Sequence, residues 1–113
     1  MSNYLGVATD DPVVNSLSFK QAPGDTIQSI YHFSVTISPA QVAANTTAEQ
    51  TFTATGVRVG DVVFVSKPTS QAGLGVVNVR ASAANQIAIT FSNNTASPIT
   101  PTASEAYQVG GIR

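Results

Sequence analysis

The chain contains no cysteine and no tryptophan, and only one histidine and one methionine. Without thiols there is no disulfide, no zinc–thiolate site and no thiol nucleophile. A single imidazole, His32, excludes a histidine-rich metal cluster. Charge is also scarce. Asp, Glu, Lys and Arg make up 10% of the residues, against roughly 25% in an ordinary soluble domain. Five basic and six acidic side chains leave a net charge of −1. Phosphate contacts dominate nucleic-acid affinity and need a basic footprint, so no nucleic-acid partner is expected. No apolar run approaches the roughly 18 residues of a membrane span, and no membrane partner is expected either. The opening Met1-Ser2-Asn3-Tyr4-Leu5 has neither a basic stretch nor an apolar core, which predicts no export signal there.

What is present fits a single domain. The length is 113 residues and the hydrophobic share 42%, enough for one core without disulfide support. Thr, Ser, Asn and Gln take the place of charge. Solubility in a free monomer usually rests on charge, so a near-neutral surface of this kind suits packing against other protein. Residues 1–30 differ from the rest: Gly6, Pro12, Pro23 and Gly24 interrupt them, and their apolar residues are scattered. They are expected to be an N-terminal arm lying on the domain or on a neighbour, or else a partly ordered terminus. Within them Leu17-Ser18-Phe19-Lys20 alternates like a short strand. Ala22-Pro23-Gly24-Asp25 carries the Pro-Gly signal of a turn.

From residue 31 the hydrophobic period is two. Tyr31, Phe33, Val35 and Ile37 alternate with His32, Ser34, Thr36 and Ser38, the pattern of a half-buried strand. Pro39 ends it. Ala40–Ala44 suggests a helical turn stopped by Asn45-Thr46-Thr47. Thr51–Thr55 alternates again, with Phe52 and Ala54 inward. Val62-Val63-Phe64-Val65 is an unbroken apolar run, which predicts a strand covered on both faces, on one by the core and on the other by a partner or the arm. Leu74–Ser82 and Gln86–Ser92 read as strands, the latter with Ile87, Ile89 and Phe91 inward. Residues 93–104 read as a polar loop, and Glu105–Val109 as a last strand before Gly110-Gly111 loosens the end. Roughly six or seven strands and no convincing helix predict an all-β fold over residues 31–113. The expected architecture is an antiparallel β-sandwich or jelly-roll-like barrel.

Few residues suggest chemistry. His32 falls on the polar face of a regular strand, whereas catalytic groups more often sit on loops, and no Gly-x-Ser-x-Gly elbow occurs. Asp10-Asp11 lacks the spacing of a calcium loop. Asp25 and Asp61 follow glycines and read as turn residues. Gly73-Leu74-Gly75 has no Lys and no following helix, so it reads as a bulge or close backbone approach rather than a phosphate loop. Asn45-Thr46-Thr47 and Asn93-Asn94-Thr95 match the glycosylation tripeptide by chance in a Thr-rich chain. No enzyme activity, cofactor or metal is expected. Arg58, Lys67 and Arg80 are the cations read inside the domain; they either pair with acids on a partner subunit or stand as solvated strand-edge charges.

Several stretches carry a resemblance. They are Val35–Thr53, Val57-Arg58-Val59-Gly60-Asp61-Val62-Val63-Phe64-Val65-Ser66-Lys67-Pro68, Gln71–Gly75, Ile87–Phe91 and Ile99–Thr102. Over roughly residues 33–109 they resemble the small β-rich virion proteins of tailed bacteriophages, namely capsid decoration (cement) proteins and modules of head or tail fibres. The Val-Gly-Asp-x-Val-x-Val-x-Lys-Pro stretch is the most distinctive. The resemblance implies a structural role on the virion surface for a protein made in the host cytoplasm. Its partners would be the major capsid protein and sister copies, three of them if the subunit sits on a lattice threefold. Leu17 and Phe19 of the arm, with Arg58, Lys67 and Arg80, are the expected contact residues. The alternative is a fibre or spike module binding host glycans through exposed aromatics, with Tyr4 and Tyr107 as candidates.

Overall fold

In the computed structural model the described residues are 26–113, and among them the chain is all β, with no helix. Six strands alternate with turns: β1 (Ile30–Ile37), β2 (Thr46–Thr53), β3 (Val62–Ser66), β4 (Leu74–Ala83), β5 (Gln86–Asn93) and β6 (Glu105–Ile112). They form two antiparallel three-stranded sheets, ordered β1-β6-β3 and β2-β5-β4. β3 and β4 run close together where the sheets meet on one side. The sandwich expected from the period-two pattern is therefore present. Leu17, Phe19 and the Pro23-Gly24 turn lie outside the described residues.

Alternation decides which side chains meet between the sheets. Every second residue of a strand shares a face. In the first sheet Phe33 is registered with Val109, Val35 with Tyr107, and Val65 with Val109. In the second, Ile87, Ile89 and Phe91 of the central strand β5 face them. Tyr107, Val109, Ile89 and Phe91 have no exposure, and Val42, Ala54 and Val57 close the core. Tyr31 and Phe33 stack at the margin with ring centroids 5.9 Å apart.

Three local expectations need correction. Ala40–Ala44 makes no helical turn. Val42 instead exchanges both backbone hydrogen bonds with Ile99, at 2.8 and 3.0 Å, and β2 begins at Thr46, earlier than the alternation suggested. The Gln50 side chain takes up both polar groups of Ala40, accepting from its N–H at 2.7 Å and donating to its carbonyl at 3.0 Å. The polar loop after β5 is fastened from within. Asn93 is 1% exposed. Its amide donates to the Val42 and Ser97 carbonyls, and its oxygen accepts from the Thr95 N–H and hydroxyl. Its nitrogen is thus committed inside the fold, and Asn93-Asn94-Thr95 presents no free acceptor for a glycan.

The third correction concerns Gly110-Gly111. They do not loosen the end. β6 runs on to Ile112 as the central strand of its sheet, with a glycine on each face. The Phe64 ring lies over Gly110, and the Tyr31 ring over Gly111; a Cβ at either position would overlap the ring. Glycine here supplies the space for two flat aromatics. The reading of Gly73-Leu74-Gly75 as a close approach agrees with the structure: Gly73 has φ +81°, and a Cβ there would collide with Thr95.

The two β6 glycines make a discriminating test. Phe64 is 52% exposed and can swing into solvent. Tyr31 is held by its hydroxyl, which donates to Asp61 at 2.7 Å. Gly111→Ala is expected to cost about 2 kcal/mol, in the range of overpacked cores, and Gly110→Ala less than half of that. Urea unfolding of both variants checks the order; equal losses would show that Tyr31 yields as freely as Phe64.

Candidate functional site

The outer faces of the two sheets are chemically unlike. On β2-β5-β4 the outward residues are mostly polar: Thr47, Glu49, Thr51 and Thr53 from β2, Thr90 and Ser92 from β5, Asn78 and Arg80 from β4. Arg80 reaches across the central strand to Glu49, with Nε to Oε2 at 2.8 Å and Nη2 to Oε1 at 2.9 Å. Ala88, registered between Arg80 and Thr51, has no exposure.

On β1-β6-β3 the outward rows run from polar to apolar. Ser34, Gln108 and Ser66 form one row, with Gln108 donating to the Ser34 hydroxyl at 3.0 Å. His32, Gly110 and Phe64 form the next. Ile30, Ile112 and Val62 form the last. Ile30 is 64%, Val62 65% and Phe64 52% exposed, and nearby Val59 is 69% exposed. The unbroken run Val62–Val65 was expected to be covered on both faces. Among the described residues only its inward face is covered, so Val62 and Phe64 stand as an open apolar surface. A shallow hollow beside it is lined by Thr26, Ile27, Arg58, Val59, Val62 and Ile112.

Asp61 holds this end of the sheet together. Its carboxylate accepts from Arg113 Nε at 3.0 Å and Nη2 at 2.9 Å, from the Tyr31 hydroxyl at 2.7 Å and from the Arg58 backbone N–H at 3.0 Å. Arg113 also donates to the Gly56 carbonyl at 2.8 Å and lies 5.7 Å from the Tyr31 ring centroid. Its backbone continues the ladder beyond β6, exchanging bonds with Ser29 at 2.9 and 3.2 Å and accepting from Gln28 at 2.6 Å. The folded unit thus reaches back at least to Gln28, a little before the boundary expected at residue 31. The Arg113 hydrogen bonds hold the Asp61 carboxyl down at about 2, although its burial opposes the shift. Burial, then the bond to Asp61, push the Tyr31 hydroxyl up to about 12.

The expected contact cations end in different places. Lys67 is turned inward: its side chain is 11% exposed and its Nζ lies 3.1 Å from Glu105 Oε1. It also donates to the Thr69 carbonyl and hydroxyl, and the Thr69 hydroxyl bonds Glu105 in turn. That hydroxyl, ahead of Lys67, lowers the Glu105 pKa. Arg80 is paired with Glu49 on the polar face. Arg58 alone borders the apolar face. Among the described residues, three of the four cations, Lys67, Arg80 and Arg113, meet a carboxylate of their own chain. Tyr107, an expected glycan platform, lies in the core with its hydroxyl buried and unpartnered, and burial pushes it up to about 12. Tyr4 lies outside the described residues. Arg113 escaped the reading of the sequence because Gly110-Gly111 seemed to end the last strand. Counting the alternation on to Ile112 would have brought it in.

No family model matches the chain, and neither a curated protein nor a solved structure matches it. Among the described residues no three His, Asp or Glu side chains gather as a metal-ligand set.

Two substitutions separate the buried ion pair from the exposed one. Asp61→Asn removes the charge that Arg113 and Tyr31 surround, and is expected to cost about 3 kcal/mol at pH 7. Arg80→Ala removes a pair whose side chains are 56% and 37% exposed and should stay within about 1 kcal/mol. Asp61 is more acidic folded than unfolded. Its contribution is therefore present above the ordinary carboxylate value of 3.8 and is lost as pH falls toward about 2. Stability of the parent chain should drop through that window, and that of Asp61→Asn should drop less steeply. Urea titrations between pH 5 and 2 read both; parallel pH slopes would refute the assignment.

Proposed function

We propose that this chain is a structural subunit of a tailed-phage virion, a capsid decoration protein that docks on the assembled shell and stabilises it. The observation that carries the reading is the one-sided surface: an open apolar outer face on β1-β6-β3 opposite a threonine-rich one on β2-β5-β4. Apolar surface removed from water contributes about 25 cal/mol per Å², so Ile30, Val62 and Phe64 form the docking patch, with Arg58 at its rim. The resemblance of the Val57–Pro68 stretch to small virion proteins supplies the kind of partner.

The mechanism is mass action. A subunit that binds the closed lattice and not its dissociated parts stabilises the lattice by RT ln(1 + [L]/Kd), about 3 kcal/mol per site at a hundredfold excess over Kd. Closed symmetric association is the common state of homo-oligomers, and a trimer would match a lattice threefold. Nothing in this mechanism calls for a catalytic group. The alternative of a glycan-binding fibre module has lost Tyr107 as a platform; Tyr4 lies outside the described residues, and among these Phe64, across Gly110 from His32, is an exposed aromatic that could serve it.

Co-sedimentation with expanded shells that lack the protein tests the reading. The parent chain is expected to pellet stoichiometrically and to raise the shell melting temperature. Val62→Asp/Phe64→Asp should abolish pelleting while the unfolding midpoint stays within about 1 kcal/mol of the parent, as befits exposed positions. A parent chain that leaves shells untouched but binds a glycan array would replace decoration with the fibre reading. A double variant that pellets like the parent would remove the patch from the mechanism.

A further inference from the structure

The long side of β1 facing away from β6 has no partner strand among the described residues. This edge is unusually bare. Its eight residues, Ile30–Ile37, include no Lys, Arg, Asp, Glu or Pro and make no register shift against β6. An open edge is a template for strand addition, and folded proteins blunt it with charge, proline, bulges or short length. The other edges here are blunted. β4 carries Arg80 and two register shifts, β2 carries Glu49, and β3 has five residues and runs beside β4. β1 alone lacks such a device, which indicates that something covers it.

We propose that the occupant is the same chain: Leu17–Lys20 turns back at Pro23-Gly24 and adds to the free edge of β1 as an antiparallel strand. Three features favour this segment over a sister copy. The described chain already extends β1 backwards, because Gln28 and Ser29 continue the ladder with Arg113. A turn sequence stands immediately before that extension, so the strand on its far side is delivered to the same edge without a long closure. Leu17-Ser18-Phe19-Lys20 alternates as a strand should. Paired antiparallel from one of Ser29–His32, it would cover the start of the β1 edge, up to His32, and its extension through Gln28.

Charge agrees with this path. Arg58 is the described cation without a carboxylate of its own, and it lines the hollow with Thr26 and Ile27. Asp25 is next in sequence to Thr26, so the proposed path would carry its carboxylate toward Arg58. The added strand would shorten the edge open to sister subunits and leave the outer face of the sheet free for docking. It concerns the isolated subunit and stands whether or not shells are bound.

The cysteine-free sequence gives a clean test in the full chain. Leu17→Cys is combined in turn with Ser29→Cys, Ile30→Cys, Tyr31→Cys and His32→Cys, and each variant is oxidised at high dilution. Facing residues of paired strands have Cα atoms about 4.5–5.5 Å apart, inside the range that a disulfide spans. One pairing is expected to close quantitatively within a single chain while the positions on either side of it stay reduced, which also fixes the register. No preferred pairing would overturn the proposal, and so would covalent dimers, because the arm would then belong to a sister copy.

Amide exchange supplies a readout that needs no cysteine. Adjacent N–H groups on a strand point opposite ways, so Ser18→Pro/Phe19→Pro removes one that faces β1 in either phase. The Ile30 and His32 amides, which turn away from β6, are expected to lose about tenfold or more of their protection while the β6-facing ones keep theirs. Unchanged protection on the free side of β1 would overturn the proposal.

Discussion

The carboxylate of Asp61 is the contact on which the arrangement of the β1-β6-β3 sheet rests. It lies in the turn before β3, yet two of its partners are 30 and 52 residues away in the sequence. Tyr31 belongs to β1, and Arg113 follows β6. A carboxylate that is 2% exposed would be costly alone. Here both arginine nitrogens, a phenol and a backbone amide donate to it, and this offsets the lost hydration. The arrangement fixes the residue just after the central strand, Arg113, against both neighbouring strands. Because a register slip of one residue turns a strand's faces over, that fixation also decides which residues point outward. Val62, Ile112 and Ile30 fall in one row because Asp61 holds the strands that carry them.

The other end of β6 is secured by the same kind of contact. Glu105, its first residue, meets Lys67 just beyond β3 and the Thr69 hydroxyl. A strand that carries two adjacent glycines, and so contributes few cross-strand contacts near its end, is thus pinned by a carboxylate–cation pair at its start and another just past its finish. The glycines have their own purpose. They let Phe64 lie flat on one face of the strand and Tyr31 on the other. The Tyr31 ring in turn carries the hydroxyl that reaches Asp61.

Scarcity of charge and the open apolar face belong together. Lys67, Arg80 and Arg113 are each matched by an acid of the same chain, so little charge is left to solvate the β1-β6-β3 surface. The β2-β5-β4 surface is wetted instead by threonine hydroxyls and one exposed ion pair. A subunit built this way has one face compatible with water and one better suited to protein. That asymmetry underlies the proposal of an assembly role, and it arises from register as much as from composition.

Period-two alternation in Tyr31–Ile37, Thr51–Ala54 and Gln86–Ser92 was enough to predict an antiparallel all-β domain and its inward residues, since alternation is a local property that burial on one face imposes directly. Gly73 could also be read as a close approach, because few other reasons place glycine at the start of such a strand. At Val62–Val65 the apolar run told that both faces tolerate burial, and only the sheet order tells which residues, Val62 and Phe64, face away from the core. The positions of Lys67 and Arg113 were equally hidden. Each finds its acid 38 or 52 residues away in the chain, and a separation of that size becomes a contact only when the strands between have paired.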